Sequence, residues 1–264
     1  VCFYKLNYND QAQQNFNIVL ENNQNHYNSK YYLALINYEN EKFNQAIPLF
    51  LELLQNDSKN YEIYNYLGNS YLKTNNLKLA LSSFRQSLTL NSYDANIYYQ
   101  IGLIYEKLLN IDEAIKNYNQ AINMDDNNND LIFRLGMILY QDGQYKKSLE
   151  YLRRHLLYEP KDIQVIKILA NILYSLNRLP ESIDNYKRLI ELDQNNLSYY
   201  YKIASAYWDL GQYNKAQFYY NTILEYEEFQ TGEVYYYLGF IANQNKNYDL
   251  ALDYFFYARE CEYS

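Results

Sequence analysis

The chain has 264 residues, a formal net charge of −8, and only 7 Gly and 3 Pro. The acidic balance excludes a surface built mainly for phosphate, because nucleic-acid affinity comes largely from Lys and Arg. It also opposes docking on an anionic membrane leaflet. So few turn formers favour long helices with short polar connections over a sandwich or barrel.

Residues 1–26 open on Val1 rather than Met, which reads as a fragment or a processed form of a longer chain. Lys5 interrupts the short apolar start, so no signal peptide is legible. No run approaches the ~18 apolar residues of a membrane helix, and no direct membrane insertion is expected. Cys2 and Cys261 stand at opposite ends. In an elongated array they are too far apart to pair, and two unpaired thiols fit a reducing, cytoplasmic compartment. Ala12 and Phe16 mark the end of a helix pair that begins further upstream.

From residue 27 the sequence repeats itself. Ala34, Gly68, Gly102, Gly136, Ala170 and Ala204 stand 34 residues apart, and Gly239 follows after 35. Twelve residues beyond each comes a second small residue: Ala46, Ala80, Ala114, Ser148, Ser182, Ala216 and Ala251. Four further on comes a large one: Phe50, Phe84, Tyr118, Leu152, Tyr186, Tyr220 and Phe255. Each unit holds two stretches of helical periodicity. In 61–94 they are Ile63, Tyr64, Leu67, Tyr71 and then Leu77, Leu81, Phe84, Leu88, parted by Lys73-Thr74-Asn75-Asn76.

A small residue lets two antiparallel helices approach where they cross, and the large residue fills the hole beside the crossing. One pair cannot bury its apolar face alone, so neighbours stack. The units are 27–60, 61–94, 95–128, 129–162, 163–196, 197–231 and 232–264, after a partial unit at 1–26. Asp, Ser and Asn in the connections 57–60, 91–94 and 125–129 can accept from free N–H groups at the next helix start. Pro180 falls in a first turn, where its missing N–H matters little, and Pro160 in a connection. Pro48 lies inside a helix and predicts a local distortion rather than a break.

This pattern resembles the tetratricopeptide repeat family. The residues that carry the resemblance are Gly68, Ala80, Phe84, Tyr71 and Pro160, and the match covers nearly the whole chain. It implies an all-α fold, a right-handed superhelix of antiparallel helix pairs. Asn37 and Ala242 stand where the family favours Tyr, and His155 where it has a second-helix Ala; these bear on local packing. Neither end carries an obvious polar capping helix, so more repeats, another domain or a partner is expected to continue the stack.

Catalytic, cofactor and metal sites are not expected. There are only two histidines, His26 and His155, no zinc spacing and no Gly-rich phosphate loop. Asp125-Asp126 lacks the central Gly and terminal Glu of a calcium loop. What the resemblance implies instead is a groove lined by the first helix of each repeat. The groove residues it points to are Tyr31, Asn65, Asn69, Tyr99, Phe133, Tyr140, Lys167, Asn171, Tyr174, Tyr201, Trp208, Tyr236 and Phe240. Chaperone-binding members grip a carboxylate with Lys, Arg and Asn from successive repeats, and Lys167, Lys202 and Asn171 give only a fragment of that clamp.

The groove is aromatic with interspersed Asn, which suits an apolar or aromatic partner segment. The implied function is a scaffold that holds proteins or peptides within a larger assembly, with no nucleic acid. The alternatives are the substrate-recruiting arm of a larger, glycosyltransferase-like enzyme and a subunit of an envelope or secretion apparatus. The 36 tyrosines read either as amphipathic contact groups or as the bias of an AT-rich genome.

Overall fold

The helical periodicities emerge as sixteen α-helices, and no strand, among the described residues of the computed structural model. Residues 1–6, 8–194, 196–226 and 231–262 are described. Positions 7, 195, 227–230 and 263–264, which fall in the sequence units 1–26, 163–196, 197–231 and 232–264, lie outside the described residues.

The residues form two compact units, Val1–Ile138 and Leu139–Ser264. The first holds α1 (Cys2–Lys5), α2 (Asn9–Asn22), α3 (Tyr27–Glu39), α4 (Phe43–Asn56), α5 (Tyr61–Lys73), α6 (Leu77–Leu90), α7 (Ala95–Lys107), α8 (Ile111–Met124) and most of α9 (Asn129–Gln141). The second holds α10 (Tyr145–Tyr158), α11 (Ile163–Ser175), α12 (Leu179–Leu192), α13 (Ser198–Asp209), α14 (Tyr213–Leu224), α15 (Gly232–Gln244) and α16 (Tyr248–Glu262).

In the first unit α3 packs on α4, α5 on α6 and α7 on α8, and each pair meets the next through α4 on α5 and α6 on α7. The small–large pairing is what closes each pair. A Cβ on Gly68 would lie 2.6 Å from the Phe84 ring, and one on Gly102 would lie 2.4 Å from Tyr118. Ala34 shares a fully buried cluster with Ala46, Phe50, Leu53 and Ile63. Burial of a Phe side chain such as Phe84 stabilises by roughly 1.5–3 kcal/mol. At the start, Ala12 and Phe16 of α2 pack on Ile36 of α3, as the second helix of a pair would.

The second unit follows the same plan. α11 packs on α12, α13 on α14 and α15 on α16, joined through α12 on α13 and α14 on α15. One cluster runs from Ile166 and Ala170 through Tyr186, Ala204 and Tyr220 to Leu238. A Cβ on Gly239 would lie 2.8 Å from Phe255. His155 is buried, and its Nε2 lies 3.2 Å from Asp162 Oδ2. Asp162 in turn caps α11 by accepting from the Val165 N–H at 3.1 Å.

The first helices α3, α5, α7, α9, α11 and α15 each start on a side-chain cap. Asn60, Asp94 and Asn128 accept from the N–H three residues on, at 3.2, 3.1 and 3.0 Å. Asn128 thus ties down the connection after the exposed Asp125 and Asp126. Helix ends recur too, by a device the sequence reading missed. Glu41, Asn75, Leu109, Gly143, Asn177, Gly211 and Lys246 all have positive φ, between 56° and 76°. Beside each, a backbone N–H reaches back five residues, as in Asn76 to Tyr71 at 2.7 Å and Arg178 to Leu173 at 2.8 Å. This is the left-handed helix stop. Glycine fills it at two positions only; Leu109 and Lys246 hold a conformation that L side chains seldom adopt.

α4 runs through Pro48 unbroken, and Pro180 sits in the first turn of α12. Asn37, at the position where the next two repeats have Tyr71 and Tyr105, is buried, and its Oδ1 has no hydrogen-bond partner. Among the described residues no helix is long and apolar enough to cross a membrane.

Candidate functional site on the first helices

The thirteen residues expected to line a groove all lie on first helices, and none is fully buried. Lys167 and Tyr236 are exposed and the other eleven partly buried. Many, however, are engaged by neighbours in their own repeat, and Tyr174, Tyr201, Trp208 and Phe240 by residues of an adjacent one.

In the first unit Tyr31 of α3 stacks on Tyr27 at 6.4 Å and meets Tyr32 edge-on at 5.6 Å. Asn65 and Asn69 of α5 come together: the Asn69 amide donates to Asn65 Oδ1 at 2.8 Å and to the Asn65 carbonyl at 3.1 Å. Its donors are therefore turned onto its own helix rather than outward. Tyr99 of α7 lies 5.9 Å from the Tyr118 ring. Phe133 of α9 is partly buried. Beside Tyr99, Glu106 accepts from the Tyr118 hydroxyl at 2.6 Å and from Arg134 at 3.1 and 3.2 Å. Burial first, and then the Glu106 carboxylate, push the Tyr118 phenol far above its ordinary range.

In the second unit Tyr140 packs on Tyr145 at 5.9 Å. Asn171 of α11 accepts from the Tyr186 hydroxyl at 2.6 Å, so a second-helix phenol reaches the first-helix face. Burial raises the Tyr186 phenol to about 12. Tyr174 donates to Asp209 of α13. Burial, and then a hydrogen bond to Glu233 of α15, raise Tyr201 well above the normal phenol range. Trp208 is the hub of an aromatic cluster, with Tyr213 at 5.1 Å, Tyr237 at 4.7 Å and Phe240 at 4.9 Å. Tyr236 meets Tyr237 edge-on at 5.9 Å and remains 53% exposed. It opens onto a cleft that Glu233, Phe255 and Arg259 also line.

Sequence reasoning overlooked the residue two places before each first small one. Tyr32 stacks on Phe16 at 5.5 Å, Tyr66 on Phe50 at 5.4 Å and Tyr237 on Tyr220 at 5.3 Å, with interplanar angles of 9°, 4° and 7°. Each ring covers the second-helix aromatic of the preceding repeat. The signal was present: a Tyr sixteen or seventeen residues after a large aromatic. Part of the tyrosine excess is thus inter-repeat packing. Offset stacking of this kind adds about 0.5–1.5 kcal/mol beyond area burial.

The arrangement offers a surface for contact, with aromatic rings, carboxylates held by phenols, and the exposed ammonium of Lys167. Family profiles described as tetratricopeptide repeat match residues 3–60, 33–95 and 197–229. A profile described as TPR repeat matches 170–211, and one described as anaphase-promoting complex, cyclosome, subunit 3 matches 110–189. No curated protein matches the chain significantly.

Among solved structures the chain is similar to YrrB, a TPR protein with an unusual peptide-binding site. The likeness is at 21% identity, over 77% of this chain and 96% of that one, with a TM-score of 0.54. The C-terminal part of a TPR repeat-containing protein from Cytophaga hutchinsonii is similar at 18% identity, over 88% and 95%, with a TM-score of 0.55. A structure of Naa15/Naa10 bound to HypK-THB is similar at 15% identity, over 90% of this chain and 37% of that one, with a TM-score of 0.61. At these identities the likeness is one of fold.

Proposed function

Because this chain belongs to the tetratricopeptide repeat family, whose fold is typical of protein–protein interaction scaffolds, we propose that it holds partner segments against its first helices. The repeat units and the thirteen first-helix residues are retained in this reading. The observation that carries it is the cluster on α13 and α15. Trp208 packs there on Tyr237 and Phe240, and Tyr236, which meets Tyr237 edge-on, is left more than half exposed. Tyr and Trp give large, fairly rigid contact area and dominate binding hot spots. The favoured occupant is an apolar or aromatic peptide segment of another protein, held as part of a larger assembly. Asn65 and Asn69 contribute less than a free pair of amides would, because one bonds the other.

The packing decides which residue to test. Trp208 has three ring neighbours, so its loss would first loosen the α13–α15 junction. Tyr236 can be removed with less structural effect. Selection from a displayed random-peptide library on the immobilised protein should enrich sequences rich in Trp, Phe and Leu. Tyr236→Ala should weaken the selected peptides by about tenfold or more, with the thermal midpoint moved little. Peptides that bind Tyr236→Ala and Tyr201→Ala as tightly as the parent protein would exclude the first-helix face as the binding surface.

A further inference from the structure

We propose that a second surface, an outer cleft between α10 and the turn joining α11 to α12, docks an acidic segment of a partner protein. The charge distribution leads to it. Residues 145–188 carry nine Lys and Arg against five Asp and Glu, a net of +4 in a chain of net −8. The other 220 residues therefore stand at −12. Six of the nine cations lie on the second helices α10 and α12, Lys161 and Arg178 lie in connections, and only Lys167 belongs to the first-helix residues discussed above. Arg153-Arg154 of α10 and Lys187-Arg188 of α12 are the same pair one repeat apart. At the equivalent places the other repeats have Leu51-Glu52, Arg85-Gln86, Asn119-Gln120, Asn221-Thr222 and Phe256-Tyr257.

The structure gathers part of this charge around a cleft of about 610 Å³. Lys146, Arg153, Arg154 and Arg178 line it, Leu149 and Leu176 give it apolar wall, and Glu150 is its one acid. Two of the arginines are held in place. Arg178 grips Glu181 with two bonds, at 2.6 and 2.7 Å, and Arg153 reaches the same carboxylate at 2.9 Å. A guanidinium has five N–H donors, so both keep donors for an incoming carboxylate. Arg154 lies 6.0 Å from the centre of the Tyr151 ring.

Charge complementarity selects the occupant. A short segment alternating Asp or Glu with Leu satisfies both the cations and the leucines. A nucleic acid would meet few cations here, and its flanking phosphates would be repelled by the −12 elsewhere.

The test is fluorescence anisotropy at low ionic strength with the intact chain and a labelled peptide of alternating Glu and Leu. The parent protein should bind it, and the Gln-for-Glu version of the peptide should not bind. Lys146→Glu combined with Arg154→Glu should weaken binding about tenfold or more, and Glu150→Gln should tighten it about threefold. The gain in Glu150→Gln is what a purely structural role of these charges would not produce, and it decides the matter if the double variant fails to fold. Tyr236→Ala should leave this affinity unchanged, which separates this cleft from the first-helix face.

Equal binding by all variants, or loss on Tyr236→Ala, overturns the proposal. So does tighter binding of a single-stranded oligonucleotide than of the peptide. So, too, does a concentration-dependent dimer that the charge reversal abolishes while the peptide fails to bind.

Discussion

Phe84→Ala is expected to lower the unfolding free energy by roughly 3–5 kcal/mol. Phe84 is fully buried in the cluster that joins α6 to α7, with Ala80, Ile97, Ile101 and Ile104. The cavity has little means of collapsing, because the ring faces Gly68, which has no side chain to move into the space. Neighbouring repeats share this core, so the loss reaches beyond one helix pair. Against a total stability of roughly 5–15 kcal/mol, the urea midpoint should fall by a large fraction. Phe218, 65% exposed on α14, serves as the control: its change to alanine should stay within about 0.5 kcal/mol. Equal, small losses at both positions would mean that the small–large pairing is not what holds the helices together.

Alkaline unfolding is the second large effect. Burial pushes Tyr118, Tyr186 and Tyr220 upward in the folded state, above the ~10 of an unfolded phenol. The folded chain therefore holds these protons more tightly than the unfolded chain does. Their contribution is full below about pH 10 and is lost as the pH rises through the folded value. For Tyr186, buried and raised to about 12, the loss is on the order of 3 kcal/mol. Tyr118 and Tyr220 act in the same direction. Helicity should therefore collapse cooperatively between pH 10 and about 12, in step with the appearance of the tyrosinate band. Retained helicity through that range, with the phenols titrating gradually near their ordinary value, would refute the assignment of these rings to the core.

The step of 34 made the fold legible because it rests on van der Waals contact between specific residues. Gly68 with Phe84 and Gly102 with Tyr118 are visible in sequence as a small residue and a large one sixteen places later. The caps at Asn60, Asp94 and Asn128 were legible for a similar reason, since only a short polar side chain can reach the third N–H. The helix stops were legible only in part, at Asn75, Gly143, Asn177 and Gly211. A left-handed residue announces itself by Gly or Asn, and Glu41, Leu109 and Lys246 carry neither signal.

The candidate face was legible only in outline. A position on a first helix says which way a side chain starts, not which neighbour it meets. Asn171 meets Tyr186, Tyr174 meets Asp209, and Trp208 meets three rings. Those partners lie on other helices, 5 to 35 residues away in sequence. Net charge likewise concealed the +4 of residues 145–188 by averaging it into −8.

The central claim is that a first-helix small residue and a large second-helix side chain, a ring in every repeat but 129–162, form one interlocked contact. A double-mutant cycle on Gly68 and Phe84, read by urea unfolding, tests it most directly. Alone, Gly68→Ala should destabilise by about 1–3 kcal/mol, because its Cβ must displace a buried ring. In the Phe84→Ala background the same change should stabilise by up to about 1 kcal/mol, through helix propensity and partial filling of the cavity. The predicted coupling is about 2 kcal/mol or more. Additivity of the two changes within about 0.5 kcal/mol would contradict it.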